Sequence, residues 1–349
     1  MTVFVLIITR IFTMKISHFM SDALFKEKSG YYRTKNPIGK DSDFITAPEI
    51  SQVFGELLAA YILEIASHKN CEISLVEMGA GKGTLFLDIL NSIQKLADKN
   101  ISQAINFINN SEFHIIEINE VLQKIQQENL SKFKITWHNN FAEFLSKNSK
   151  QKEIFFISNE LFDCFPIDQF VFTEIGWRER IIQNNKFTLA PFKQENHNFI
   201  EQEIDCLAPI GGVFEYSKAA REFIKDLCEA IESQGGVAIN IDYGYIKNEF
   251  LNTLQAVKNH KKVDVLQEGG ADITALVDFS ALEKIVKNYN LQSSIISQSH
   301  FLKSLGIEER RQSLLAKNVD KEQEINLAID RLISADQMGE LFKCLIIWR

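Results

Sequence analysis

Hydrophobic positions follow two rhythms along this chain. From residue 71 onward, short near-continuous apolar runs at 73–78, 112–118, 133–138, 153–158 and 236–242 have strand length. The stretches between them place apolar residues at helical spacing. Strand and helix in alternation predict an α/β fold built on a doubly wound parallel sheet. Residues 166–195 break the rhythm. Runs at 169–175, 178–183 and 187–192, with turn residues Gly176 and Asn184-Asn185, predict an antiparallel meander inserted over the cleft. A helix over 216–232 follows, closed by Gly235-Gly236. The tail predicts a helix over 278–289, a strand at 292–297, helices at 299–317 and 322–334, and a last strand over 341–348. The late strands fit an edge hairpin.

The first 70 residues are helical in pattern with a polar middle. Residues 16–24 form a short amphipathic helix and 30–43 a loop. Residues 51–66 form a longer helix, with Pro48-Glu49 at its start, where proline and an acid suit the first turn. Residues 1–13 are apolar but too short to span a bilayer, and they lack a cleavage site. They are expected to be an upstream extension, disordered or absent, with Met14 the natural start. No later run reaches membrane-spanning length, so no membrane insertion is expected.

Composition changes this picture little. At 349 residues, 45% hydrophobic and 24% charged, the chain is an ordinary globular one, and its net charge of −8 argues against nucleic acid as a partner. Cysteines are scattered without a C-x-x-C pair and read as reduced thiols of an intracellular protein. Histidines show no metal-ligand spacing, and no metal is expected.

The chemistry concentrates at residues 73–90. An apolar strand ends in Glu77, Gly79, Gly81 and Gly83 follow at alternating positions, and a helical pattern begins at Leu85. This is a strand, a tight turn and a helix start, which brings bare backbone against a nucleotide-like ligand. A P-loop requires Ser or Thr after the lysine, whereas Lys82 precedes Gly83. A dinucleotide fingerprint requires glycine where Thr84 stands. The remaining pattern, an acid ahead of three spaced glycines, favours S-adenosylmethionine, whose cationic groups tolerate a nearby carboxylate. A ligand-free glycine turn is the bland alternative. Glu117, at the end of the next strand, is placed to grip a ribose, although the gap from Gly79 exceeds the usual ~20 residues. Its alternative is a cap on the helix that follows.

Further acids gather where the other strands end. They lie in Ser158-Asn159-Glu160-Leu161-Phe162-Asp163, in Asp242-Tyr243-Gly244, and in the turn from Asp43 through Thr46 and Pro48 to Glu49. Each can be read as a cap or turn. Together they suit a guanidinium acceptor, which stays protonated and must be held by paired carboxylates. Glu160 and Asp163 are the candidates for that grip.

These motifs resemble the MidA-like methyltransferases, whose mitochondrial members are arginine methyltransferases assisting assembly of respiratory complex I. The resemblance spans roughly residues 15–349. It rests on Phe19-Met20 with Gly30-Tyr31-Tyr32, on 43–50 with Phe54-Gly55-Glu56, and on the glycine loop. Later motifs are Asn159 to Asp163 with Pro166, Trp177 to Arg180, Asp242-Tyr243-Gly244, Asp272-Ile273-Thr274 with Val277-Asp278-Phe279, and Met338 to Phe342. It implies a Rossmann-like class I methyltransferase core over 71–349, with 166–215 a β-rich substrate insertion and 14–70 a helical segment over the cofactor. It implies S-adenosylmethionine at Gly79, Gly81 and Gly83, with Glu77 at the methionine end and Glu117 at the ribose. Thr46, Pro48 and Glu49 would roof the site. Asn159, Glu160 and Asp163 would act on the acceptor, with Asp242, Tyr243 and His260 binding it. The expected partner is a protein substrate, a complex I subunit in that resemblance. The expected compartment is the bacterial cytoplasm, or the mitochondrial matrix in a eukaryote. The sequence departs from the family at Ala80, where proline is usual, and at Asn252 and Gln255, where glycine and arginine are usual ahead of His260. A cofactor-binding assembly chaperone and a small-molecule methyltransferase stay open as alternatives.

Overall fold

The computed structural model describes residues 13–34, 46–69, 72–149, 151–191, 194–204, 206–247, 249–267 and 270–349. The extension through residue 12 and the Asp43–Ile45 end of the N-terminal turn lie outside them. Thr13, assigned above to the extension, is paired with Gln183 in a short strand, Thr13–Lys15.

Seven strands carry the central sheet. They are β1 (Ile73–Met78), β2 (Ser111–Ile116), β3 (Ile135–His138), β4 (Glu153–Asn159), β5 (Gly236–Tyr245), β6 (Gln292–Ser297) and β7 (Phe342–Trp348). Their order is β6-β7-β5-β4-β1-β2-β3, with the two-residue strand Val277–Asp278 beside the end of β5. β1 to β5 are parallel, whereas β7 runs antiparallel to both neighbours. The order reverses between β1 and β4, which opens a crevice beyond their carboxyl ends.

Period-two alternation sends the strand residues to two cores. Leu75, Ile115, Phe155, Ile157, Ile239 and Ile346 pack with Phe54, Leu58, Phe86 and Ile89 from helices Gln52–Ser67 and Thr84–Asp98. Val76, Ile116, Ile154, Phe156, Ala238 and Leu345 meet Phe144, Ile224 and Leu227 on the opposite face. Each large side chain so buried stabilises by roughly 1.5–3 kcal/mol. A one-residue slip would exchange the faces, so both cores fix the register of the crevice.

β6 and β7 form the expected antiparallel pair at the edge of the sheet, with β6 outermost and β7 against β5, and their long connection carries helices Gln298–Ser304, Ile307–Leu315 and Glu322–Ile333. Other expectations are corrected. The helix expected over 299–317 breaks at Gly306, whose φ of 87° ends a right-handed helix. The long N-terminal helix starts at Gln52, because Ser51 is extended (φ −156°) and caps it, while Pro48 and Glu49 belong to a separate turn, Ala47–Ile50.

Two small sheets flank the crevice. The predicted meander is present as Asp168–Thr173, Gly176–Gln183 and Lys186–Pro191, extended by Val213–Tyr216 and Thr13–Lys15. A second sheet, Gln255–Lys258, Lys261–Val263 and Asp272–Thr274, was not visible in the sequence pattern. Helix Ile16–Phe25 buries Ile16, Met20 and Leu24 against residues of both sheets, including Ile182, Ala256 and Ile273.

Candidate functional site

The glycine turn follows from backbone conformation. Gly79, Gly81 and Gly83 have φ of 73°, 55° and 78°, a region that other residues enter at a cost. A Cβ on Gly79 would lie 3.1 Å from Leu161 Cδ1, and one on Gly83 3.1 Å from Leu130 Cδ1. The turn is tied down at both ends. Gly79 N–H donates to the Ile116 carbonyl (3.1 Å), and Gly83 N–H donates to the Ala80 carbonyl (2.7 Å). Gln126 Nε2 also donates to the Gly81 carbonyl (2.8 Å).

The cavity above this turn is lined by Glu77, Gly79, Gly81, Glu117, Asn159 and Glu160, and roofed by Thr46, Pro48 and Glu49. Thr84 Oγ1 donates to Glu49 Oε1 (2.5 Å), which joins the roof to the helix behind the turn. Phe25 and Tyr32 close the apolar side, their rings stacked at 5.9 Å, and the Tyr32 hydroxyl donates to Asp272 Oδ1 (2.8 Å). Ile118 and Leu122 add an apolar wall beside Glu117.

Charge decides what such a cavity accepts. Among the described residues, Glu49, Glu77, Glu117 and Glu160 line it, and Lys82 is the one cationic residue in the lining. Burial, reinforced by the charge of Glu117, pushes the Glu77 carboxyl up to about 8. Glu77 Oε2 finds no hydrogen-bond partner among the described residues. Burial pushes Glu117 up to about 7, although Asn119 N–H (2.8 Å) and Gln126 Nε2 (3.2 Å) donate to it. Burial, then the charge of Asp163, pushes Glu160 up to about 8. A ligand carrying cationic and hydroxyl groups supplies what the carboxylates lack.

Not every predicted residue reaches the cavity. Asp163 points away from it: its Oδ2 accepts from the Tyr243 hydroxyl (2.5 Å), and its Oδ1 has no partner among the described residues. Asp242 lies outside the cavity lining and is engaged by backbone. Its carboxylate accepts from the backbone N–H of Phe162 (2.8 Å), Asp163 (3.2 Å) and Tyr243 (2.9 Å), which orients the loop after β4. His260 is exposed at the turn between Gln255–Lys258 and Lys261–Val263, with φ of 58° beside Asn259 at 51°. That is a two-residue hairpin turn, distant from the cavity lining.

Phe25, Ile118 and Leu122 also line the cavity, with no role evident from the sequence. Tyr32 lay in a quoted motif, without an assigned part. Their apolar types carry no signal of a ligand, because only the fold brings them to one cavity.

Comparison with known proteins agrees with this geometry. Residues 57–297 match a family model described as an S-adenosyl-L-methionine-dependent methyltransferase. The protein arginine methyltransferase NDUFAF7, mitochondrial, of Danio rerio is 30% identical over 95% of this chain and 82% of its own length. Its counterpart in Homo sapiens is 30% identical over 94% and 78%. A solved COG1565 superfamily member from Burkholderia thailandensis, bound to S-adenosyl-homocysteine, superposes with a TM-score of 0.80 at 26% identity, covering 97% of this chain and 88% of that one. With an acid-lined glycine crevice at the switch point of a seven-stranded sheet, the chain belongs to the family of S-adenosyl-L-methionine-dependent methyltransferases.

Proposed function

We propose that this enzyme transfers a methyl group from S-adenosylmethionine to an arginine side chain of a partner protein. The observation that carries the reading is the gathering of Glu77, Glu117 and Glu160 around one cavity, each held above its ordinary carboxylate range. The relatives named protein arginine methyltransferase support the acceptor. When bound, the cofactor supplies an electrophilic methyl group. Glu117, oriented by Asn119 and Gln126, accepts the ribose hydroxyls. Glu77, in the cavity lining, would hold the ammonium. Ile118 and Leu122 would offer the adenine an apolar wall.

Glu160 faces the acceptor. Ala47 N–H (3.3 Å) and Asn159 Nδ2 (3.1 Å) donate to its Oε1, which fixes the carboxylate. It pairs with the guanidinium, and its raised proton affinity suits it to take the proton released when the nitrogen is methylated. Asp163 supports Glu160 by its charge rather than by a second grip. Positioning supplies most of the rate. A complex I subunit as acceptor comes from the family resemblance. So do the compartments: mitochondrial matrix in a eukaryote, cytoplasm in a bacterium. No helix among the described residues is long and apolar enough to cross a membrane.

The test is transfer of labelled methyl from S-adenosylmethionine to host proteins, with the modified residue mapped. The expected result is label on arginine, reduced at least 100-fold in Glu160→Gln while cofactor affinity holds. Label in the acid-soluble fraction would indicate a small-molecule acceptor. Cofactor binding without label would indicate a chaperone.

A further inference from the structure

The amino-acid end of S-adenosylmethionine carries a carboxylate beside its ammonium, and no residue given a role above answers that carboxylate. Glu49, Glu77, Glu117 and Glu160 all line the cavity, so an incoming anion meets like charge unless a cation stands against it. A desolvated anion among other carboxyls is strongly disfavoured without such a partner.

Lys82 is the cationic residue of the described lining. It stands between Gly81 and Gly83, whose φ values are 55° and 78°, so the turn carries an acid, Glu77, at its entry and a base near its exit. The backbone at this point is held. Asn129 Nδ2 donates to the Lys82 carbonyl (3.0 Å), and Gln126 Nε2 donates to the Gly81 carbonyl (2.8 Å). The Lys82 ammonium, by contrast, forms no ion pair or hydrogen bond among the described residues, although four glutamates line the same cavity. Thr84 and Leu85, which open helix Thr84–Asp98, also line it, so the positive end of that helix adds to the same side. Arg33, the cation of the N-terminal wall, is engaged elsewhere: its guanidinium donates to the carbonyls of Phe25 (3.3 Å) and Ile118 (3.2 Å), and it is not in the lining.

We propose that Lys82 binds the carboxylate of the cofactor's methionine end while Glu77 holds its ammonium, so that the two sides of the glycine turn take the two charges of one zwitterion. An acid and a base that line one cavity without pairing with each other suit a ligand that carries the complementary pair. Lys82 is thereby a specificity-determining residue. It separates the amino-acid-bearing cofactor from adenosyl thioethers that lack the carboxylate. The inference rests on the methyl-donor reading of the cavity and deepens it, and it is independent of which acceptor is methylated.

The experiment is calorimetric titration of S-adenosyl-homocysteine and of its decarboxylated analogue, which keeps the ammonium and the adenosyl thioether. Both are titrated into the full native chain, Lys82→Met and Lys82→Arg. The native chain is expected to prefer S-adenosyl-homocysteine by about tenfold or more, the scale of one charge-assisted contact. In Lys82→Met that preference should collapse: S-adenosyl-homocysteine weakens by about tenfold, while the analogue binds as before or more tightly. Lys82→Arg keeps the charge and should retain most of the preference. Ligand-free melting temperatures of both variants should match the native value, because the ammonium holds no partner among the described residues. Equal weakening of the two ligands in Lys82→Met, or a preference that survives there, would overturn the assignment. So would a native chain that does not distinguish them. Failure of the native chain to bind either ligand contradicts the cofactor cavity itself, so the two readings fail separately.

Discussion

Glu160 adopts φ of 53°, a conformation that costs a glutamate roughly 1–2 kcal/mol. Its N–H donates to the Ile241 carbonyl (2.9 Å) and its carboxylate accepts from Ala47, so β5 and the roof hold it there from two sides. Strain held by its surroundings and aimed at a cavity is typical of a working residue. Gly79 makes the complementary point, since its φ of 73° and the nearby Leu161 both oppose a side chain. Gly79→Ala is expected to lower stability by about 1 kcal/mol and cofactor affinity at least tenfold, read by thermal melting and calorimetric titration. Unchanged affinity in the folded variant would remove the turn from the site. At this scale the sequence was legible where chemistry restricts residue type. The glycines and Glu77 declared themselves, because few other residues fit that backbone and few turns carry that acid. Asp242 did not, because an acid ending a strand looks the same whether it faces a ligand or, as here, three backbone N–H groups.

Among the elements, the parallel strands were readable because burial on both faces leaves runs of Val, Ile, Leu and Phe. β3 was the weakest, and its neighbour β2 holds a polar exception. His114 Nδ1 and His138 Nε2 lie 3.1 Å apart between these strands, buried beside Phe144. Burial, then the charge of His138, pulls His114 down to about 4. The folded protein therefore holds it neutral while an unfolded chain protonates it near pH 6.5. That contribution is present above pH 6.5 and is lost as pH falls toward 4. His114→Gln, which keeps a hydrogen-bonding group without the titration, is expected to lose less melting temperature than the native chain between pH 6.5 and 4.5. Parallel melting curves would contradict the role assigned to the pair. The pairing of β6 with β7 was expected, whereas the place of β7 against β5 left no local signal, because it joins segments far apart in the chain. The 255–274 sheet was hidden for another reason: its strands are short and partly charged, so no period stands out.

Across the whole molecule, the two cores set the crevice, and the N-terminal segment folds back from a distant part of the chain to close it. Phe25, Tyr32, Thr46 and Pro48 reach the cavity only by that route, which explains why local pattern did not reveal their partners. Enclosure raises the proton affinity of the acids. Free Glu77 and Glu117, held near 8 and 7, are protonated at pH 6 and ionised at pH 8.5. Their raised values also mean that the ligand-free protein loses stability as pH rises from about 4.5 through 8. A cationic, hydroxyl-bearing ligand binds the ionised forms. Its affinity must then rise with pH over that window, by up to roughly tenfold per pH unit for each such carboxyl below its pKa.

Calorimetric titration of S-adenosylmethionine into the native chain and into Glu77→Gln, from pH 6 to 8.5, tests the central claim most directly. The account predicts binding that strengthens with pH and releases protons in the native chain, with a smaller release and a flatter profile in Glu77→Gln. Absence of binding, or identical pH profiles for the two proteins, would contradict it.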